Sequence, residues 1–420
     1  MSSRSNVRIG AGLALLALAF VACMNDAAAA GSAEGSCEHA TGVPDRSTAG
    51  IASAEADFGE ALFEALGRAQ PRQTVLISPL SVSTALALTG TGAEGKTRTE
   101  FETVLGLGRH GLTLKDVAER QSDRRRALEP CAGTRFELAN SIWAADDFRL
   151  NAPFVERQRS LFDAEIQSVN FRSPATLSLV NGWVSRKTAG KIPMVLNQIA
   201  PTTRLLLINA LHFKGGWQRP FDKTQTKPLD FKLAGGTSVR VPGMHRVTTL
   251  SYLDNASFQA VVLPFNDPRY EMVVVLPHKV GETAAPAGGL SHVLDSAGFS
   301  QSIVTLTMPR MRLSWDGRLA KTLQLLGLES PFGNADFSGW SSQAVRIDEV
   351  IHKVSFEADE AGAEGAAATV VVVMPMGVLH RPELQHVEMI VDRPYYILVR
   401  ERGTGTILFM GFVADPGTRL

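Results

Sequence analysis

Charge of one sign is what this sequence most plainly lacks: its 420 residues carry 42 Lys and Arg against 42 Asp and Glu. Without a surplus of cations a surface cannot replace counterions along a phosphate backbone, so no nucleic-acid partner is expected. Cysteine is scarce, with only Cys23, Cys37 and Cys131. No set of Cys and His has metal-ligand spacing, so no metal site is proposed. A G-x-S-x-G elbow is missing, and no Ser, His or Asp is singled out as a catalytic group by its local frame. There is also no apolar run long enough to span a bilayer comfortably, because the longest, Ile9 to Ala22, is too short.

What is present is a globular composition. With 45% hydrophobic residues the chain can bury one large core or two ordinary ones. Arg4 and Arg8 ahead of "IGAGLALLALAFVA" give the N-terminus the layout of a secretory signal over 1–22. Phe-Val-Ala-Cys reads as a lipobox ending at Cys23, the lipidation site, although Phe20 stands where Leu is usual. The alternative is cleavage after Ala30, at the end of "AAAA". Either reading makes the protein exported, to the cell envelope or the extracellular space. Residues 23–50 are rich in Ala, Gly, Ser and Glu and read as a flexible tether, which a lipid on Cys23 would hold at a membrane. In an oxidising compartment Cys37 and Cys131 are a candidate disulfide.

The folded part is expected from Ile51 to the last residue. Phe58, Leu62 and Leu66 recur at one helical turn, and Ser78 or Ser81 offers a cap for a helix that closes at Gly90. Further helices are predicted at 114–128, 151–161, 174–188 and 319–326. Strands are predicted at "RFELANSIWAA", "RLLLINALHFKG", "FQAVVLPF", "YEMVVVLPH", "IVTLTMPRMRL" and a final hairpin turning at Gly403 to Gly405. Helices crowd the first half and strands the second without regular βαβ alternation, which makes the class α+β with large sheets.

Three local features invite a functional reading. "GTGAEGKT", Gly90 to Thr97, satisfies the phosphate-loop and dinucleotide patterns, but those need a strand before the glycines and here a helix precedes them. The segment reads as a helix end and a turn. His352, in "IDEVIHKVSFE", reads as a hydrogen-bonded core histidine rather than a general base. Arg120, Arg124, Arg125 and Arg126 are interleaved with Glu119 and Asp123 and read as a solvated helix face rather than an anion site.

From about Phe58 to Pro416 the order of blocks resembles the serpin family. "LISPLSVSTALALTGTGAEGKTRTE", "ANSIWAADDFRLNAPFVERQRSLFDAEIQSVNF", "VNGWVSRKTAGKI" and "LLLINALHFKGGWQRPFD" come first. "MHRVTTLSYL", "MVVVLP", "PFGNADFSGW", "VIHKVSFE" and "DRPYYILVRERGTGTILFMGFVADP" follow. The resemblance implies a single domain with three β-sheets, about nine helices and an exposed reactive-centre loop at about 360–390. It also implies no turnover enzyme and no cofactor, but a monomeric suicide inhibitor that a target serine protease attacks and with which it forms a covalent acyl complex. The alternative is a non-inhibitory scaffold that serves as a binding or carrier protein.

Carried over residue by residue, Ser78, Ser81, Asn209 and His352 fall on positions that control opening of the main sheet from beneath its middle. Trp217, Arg310 and Glu360 fall at its top, with an Arg310 to Glu360 ion pair expected. Glu360, Gly362, Ala363, Glu364, Gly365, Ala366, Ala367, Ala368 and Thr369 form the hinge and the first inserting residues. They are free of proline and small on alternate faces, as a strand slipping between two others must be. Counting along the family's loop places the reactive bond at Met376 to Gly377. A Met there suits elastase-like, chymotrypsin-like or subtilisin-like pockets. The segment after Gly377 is longer than usual, which leaves Leu379 as another cleavage point.

Overall fold

The computed structural model describes residues 46–131, 133–279, 286, 288–295, 298–363 and 384–420. Helix α1 (Arg46–Ala69) begins inside the stretch read as tether. Ile51, Ala52 and Ala54 are buried together with Phe58, Leu62 and Leu66, so the apolar stripe starts earlier than its clearest repeat suggests. Strand β1 (Val75–Ile77) leads into α2 (Pro79–Gly90), capped by the Ser78 hydroxyl and opened by proline. Every residue of α2 is buried, which is why it has no polar face.

Helices α3 (Gly95–Val104) and α4 (Leu114–Ala127) follow, the latter held by a Thr113–Asp116 capping box. Next come β2 (Arg135–Ala145), α5 (Ala152–Phe162), β3 (Glu165–Val169), α6 (Pro174–Lys187) and β4 (Leu205–Gly216). The strand-rich half contains β5 (Lys227–Lys232), β6 (Ser238–Asp254), β7 (Phe258–Pro264) and β8 (Tyr270–Pro277), then α7 (Leu290–Asp295). After it run β9 (Ser300–Pro309), β10 (Met311–Arg318), α8 (Ala320–Leu325), β11 (Glu349–Ala358) and β12 (Gly362–Ala363). The chain ends with β13 (His386–Ile390), β14 (Tyr395–Glu401) and β15 (Ile407–Val413). Among the described residues this gives eight α-helices in an α+β fold.

Hydrogen bonding gathers these strands into a six-stranded sheet, β10-β11-β4-β2-β3 with β12 on β4, and a nine-stranded one, β1-β15-β14-β8-β7-β6-β9-β13 with β5 on β6. Among the described residues a third sheet does not separate, because β6 is 17 residues long. It pairs with β5 near its start, with β9 through its middle and with β7 at its end, joining two groups of strands into one ladder. "IVTLTMPRMRL" is not one strand but two. Pro309 ends β9 without an amide to offer, and the chain crosses at Arg310 into β10 of the other sheet. The buried helix α2 packs on strands of both sheets, β2 and β4 of one and β15 of the other.

In the six-stranded sheet one pairing matters most. β11 lies parallel to β4, from Glu349 opposite Leu206 to Ser355 opposite His212, whereas β10 on β11 and β2 on β4 are antiparallel. Parallel pairing is the slightly weaker kind. Any strand that parted β11 from β4 while running against both would replace one parallel ladder with two antiparallel ones.

Candidate functional site: the junction of β4 and β11

Beneath the middle of this junction three polar side chains stand in register across three strands, Asn140 on β2 opposite Asn209 on β4, and Asn209 opposite His352 on β11. Asn209 Nδ2 donates to the Ser81 carbonyl at 2.7 Å and to Asn140 Oδ1 at 2.5 Å. Its Oδ1 faces His352 Nδ1 at 2.6 Å, while the Ser78 amide donates to His352 Nε2 at 3.0 Å. An acceptor on one side and a donor on the other fix the ring as neutral, with its proton on Nδ1. His352 is fully buried, and burial pushes its pKa down to about 3.

Ser78, Ser81, Asn209 and His352 are therefore brought together, and His352 is a bonded core residue. Two details differ from the reading by sequence. Ser81 takes part through its carbonyl, while its hydroxyl is buried without a partner among the described residues. Asn140 was missed, although its signal was present: a lone amide in the apolar alternation of "RFELANSIWAA" has to find a partner inside the sheet.

At the upper end of the junction the chemistry is charged. Arg310 Nε reaches the two Glu360 oxygens at 2.8 and 2.9 Å, and Nη2 reaches Oε1 at 2.7 Å. The Thr226 hydroxyl also donates to Glu360, and the Phe221 amide donates to its carbonyl at 2.8 Å. Burial raises the carboxyl's pKa, but the hydrogen bonds from Arg310 and Thr226 outweigh it and hold Glu360 below the usual carboxylate range. Trp217 donates from its amide to Ala361 and from its indole to Asp359, both at 2.9 Å, and stacks on Phe265 at 4.9 Å. Thr226, Phe221 and Asp359 carry no motif that sequence reasoning could have used.

The residues that the resemblance implies as the hinge are docked there. The Asp359 carboxylate accepts from the amides of Ala361 and Gly362, turning the chain back on itself. Gly362 then pairs with Gly216 and Ala363 with Gly215, antiparallel to β4. Gly362 has φ +145, and a β-carbon on it would stand 2.3 Å from the Gly215 carbonyl oxygen, so only glycine fits. Ala363 is wholly buried.

A family model described as "Serpin (serine protease inhibitor)" matches residues 53–416. The chain belongs to the serpin family. It is 29% identical over 373 residues to Serpin A3-1 of Bos taurus, which covers 87% of this chain and 89% of that protein. Two solved serpin structures share its fold. Thyroxine-binding globulin in complex with thyroxine matches with a TM-score of 0.77 at 25% identity, over 87% of this chain and 99% of that one. The thermophilic serpin tengpin in its native state matches with a TM-score of 0.76 at 26% identity, over 87% and 94%. Serpins in general act on serine proteases as inhibitors rather than as catalysts.

The other sequence readings of this serpin divide. Glu364, Gly365, Ala366, Ala367, Ala368, Thr369, Met376, Gly377 and Leu379 lie outside the described residues, as do the signal segment, Cys23 and Cys37. Cys131 is disulfide-bonded, and its amide donates to the buried Asp267 at 2.9 Å. In "GTGAEGKT" Gly90 closes α2 and Gly95 opens α3, and the amides between them are bonded: Gly92 donates to Thr89, Ala93 to Gly90 and Glu94 to Asp336. Those amides are not free to cradle a phosphate. The arginine face of α4 corrects the sequence reading in one place. Arg125 and Arg126 are solvated and paired with Asp163 and Asp123, but Arg124 is buried against Glu55 at 2.6 Å and ties α4 to α1.

Among the described residues no helix is long and apolar enough to cross a membrane.

Proposed function

We propose that this serpin is an irreversible suicide inhibitor of serine proteases that works by inserting its loop between β4 and β11. The observation that carries this reading is β12. The two residues that begin the loop are already hydrogen-bonded to the end of β4 in the antiparallel sense that an inserted strand requires. Continuing that register one residue at a time sets Glu364 opposite Lys214, Thr369 opposite Asn209 and Val373 opposite Leu205, the first residue of β4. The proline-free stretch thus runs out where β4 does, and Met374 and Pro375 fall beyond it.

Alternation gives the same answer. Ala363, Gly365, Ala367, Thr369, Val371 and Val373 would share the inner face of β4 with Asn209 and Phe213. Glu364 would meet Lys214 on the outer face. Insertion into a sheet is an established mode of strand addition for this family. With ~1 kcal/mol per net hydrogen bond, a dozen residues would release on the order of ten kcal/mol.

In this reading a protease with an elastase-like, chymotrypsin-like or subtilisin-like pocket attacks the Met376–Gly377 bond and forms its acyl-enzyme. Insertion then carries it away, and its catalytic geometry is lost before water can release it. The protein acts as a monomer without a cofactor, is exported, and is held by lipid at Cys23 or released by cleavage after Ala30. Cys37 is the proposed partner of Cys131.

The likeness to thyroxine-binding globulin favours a second reading, a carrier whose loop does not insert. A cavity of about 730 Å³ lined by Phe63, Val75, Tyr396 and Phe412, with Glu64 and Arg68, offers room for a small ligand.

Incubation with pancreatic elastase or subtilisin separates the two. Inhibition predicts a denaturant-resistant adduct cleaved after Met376, and its loss in Ala363→Arg, whose side chain has no room against Gly215. Cleavage with neither an adduct nor a rise in melting temperature leaves the carrier reading standing.

A further inference from the structure

Beside Phe221 and Glu360 lies a cation that no carboxylate completes among the described residues. Arg246 on β6 points to the inner face of the sheet, in register with Leu306 and, through it, with Met389. Its guanidinium lies 4.7 Å from the centroid of the Phe221 ring. One terminal nitrogen donates to the Arg219 carbonyl, and Nε is buried with no partner. Burial, with the like charge of Arg219 added, brings its pKa down to about 10. Arg219 is exposed and is held toward Arg246 by a 2.9 Å bond from Nη1 to the Thr248 hydroxyl.

Neither arginine has a carboxylate partner among the described residues, and Lys223 and Lys227 nearby have none either. The acids around them are otherwise engaged or face away. Asp222 caps Thr224, Glu360 is held by Arg310, and Glu388 is in register with Thr305 and Val247 on the opposite face of the sheet. A buried donor without an acceptor next to a second fixed guanidinium is an arrangement that an incoming carboxylate would complete, through paired charge-assisted hydrogen bonds.

The place of the pair suggests whose carboxylate. The Phe221 amide is bonded to the hinge at Glu360, where the loop departs, and β6 is joined through β9 to β13, where the chain is next described after the loop. A protease holding a bond between those two anchors would stand over Arg219 and Arg246. We propose that Arg219 and Arg246 form a carboxylate clasp that receives an acidic side chain from the rim of the attacking protease and so favours proteases with an acidic rim. The partner named here rests on the inhibitory reading, while the clasp itself does not. Charge pairing of this kind acts chiefly on the rate of encounter and is screened by salt.

Two measurements on the full chain test it. In the first, hexaglutamate is titrated at low salt and followed by tryptophan fluorescence and calorimetry. Saturable binding that weakens about tenfold in Arg219→Ala, and is kept better by Arg246→Lys than by Arg246→Gln, supports the clasp. No binding, or binding indifferent to all three variants, overturns it. Tighter binding of inositol hexaphosphate at the same residues overturns an acidic protein as the occupant in favour of a phosphate or sulfate polyanion. In the second, the rate of adduct formation is followed with two elastase-type proteases of opposite net charge. Arg219→Glu should slow reaction with the acidic protease by about tenfold or more at low salt, flatten its salt dependence, and spare or speed reaction with the basic one. An equal loss with both proteases, or no loss, overturns the protease as partner. If the unaltered protein forms no adduct with either, the inhibitory reading fails, and with it the protease as partner, while the hexaglutamate titration still decides whether the clasp exists.

Discussion

The middle and the top of the β4–β11 junction hold the same two strands together by different chemistry. In the middle the bonding is neutral and fully buried, and every side-chain polar atom of Asn209 and His352 has a partner, Asn209 Nδ2 having two. At the top it is ionic and open at one side, since the Glu360 side chain is 2% exposed but that of Arg310 is 38% exposed. A closed neutral network loses most when one member is removed, because the rest cannot turn to water. An ion pair with one wet partner can relax. The middle is therefore the stronger hold on the two strands and the top the weaker one, where Gly362 and Ala363 pair with the end of β4.

Breaking the middle should have the largest effect. His352→Leu strands the Ser78 amide and Asn209 Oδ1 in the core and is expected to cost about 4 kcal/mol in urea unfolding, from two buried groups left unpaired. The variant should also insert its loop spontaneously on warming. Wild-type stability in that variant would mean that the network does not close the sheet.

Acid should sharpen the same contrast. The folded pKa of His352, about 3, is depressed below the ordinary histidine value of 6.5, so the unfolded chain binds the proton more readily. Its contribution is complete above pH 6.5 and is lost as the pH falls toward 3. His212, lowered by burial and by Lys191 and Lys214, adds in the same direction. Glu360 is a depressed carboxylate whose contribution is lost only below 4.5. Between pH 6.5 and 4.5 a loss of about 3 kcal/mol is expected to come from the middle, and the His352→Leu variant should show little of it. An undiminished slope in that variant would place the titration elsewhere.

Two milder changes probe the top. Gly362→Ala cannot keep β12 in place beside Gly215 and should cost about 2 kcal/mol, read as faster hydrogen exchange at Gly216 and slower adduct formation. Arg310→Met should cost about 1 kcal/mol, discounted for the exposure of Arg310, and the difference should shrink in high salt. Equal losses for Arg310→Met and His352→Leu would erase the distinction between the two regions.

Much of this junction was legible before any coordinates. Alternation gave β2 and β4, the Ser78 and Pro79 signals gave the start of α2, and block order carried His352, Asn209, Arg310 and Glu360. What escaped were features whose cause lies far along the chain. Helix α1 starts early because Ile51 finds a core to enter, and Arg124 leaves its solvated face because Glu55, on another helix, is there to meet it. The break at Arg310 exists because two sheets need different strands.

By itself the sequence determined which residues a loop could thread into a sheet, since freedom from proline, small size and alternation are local properties. It also determined that a histidine in an apolar strand must be bonded. Tertiary structure alone decided that β4 and β11 are the parallel pair, that Gly362 and Ala363 already occupy the first two rungs beside β4, and that Arg219 meets Arg246 next to the hinge. Register and proximity belong to pairs of distant segments, and no local pattern encodes which partner will stand opposite.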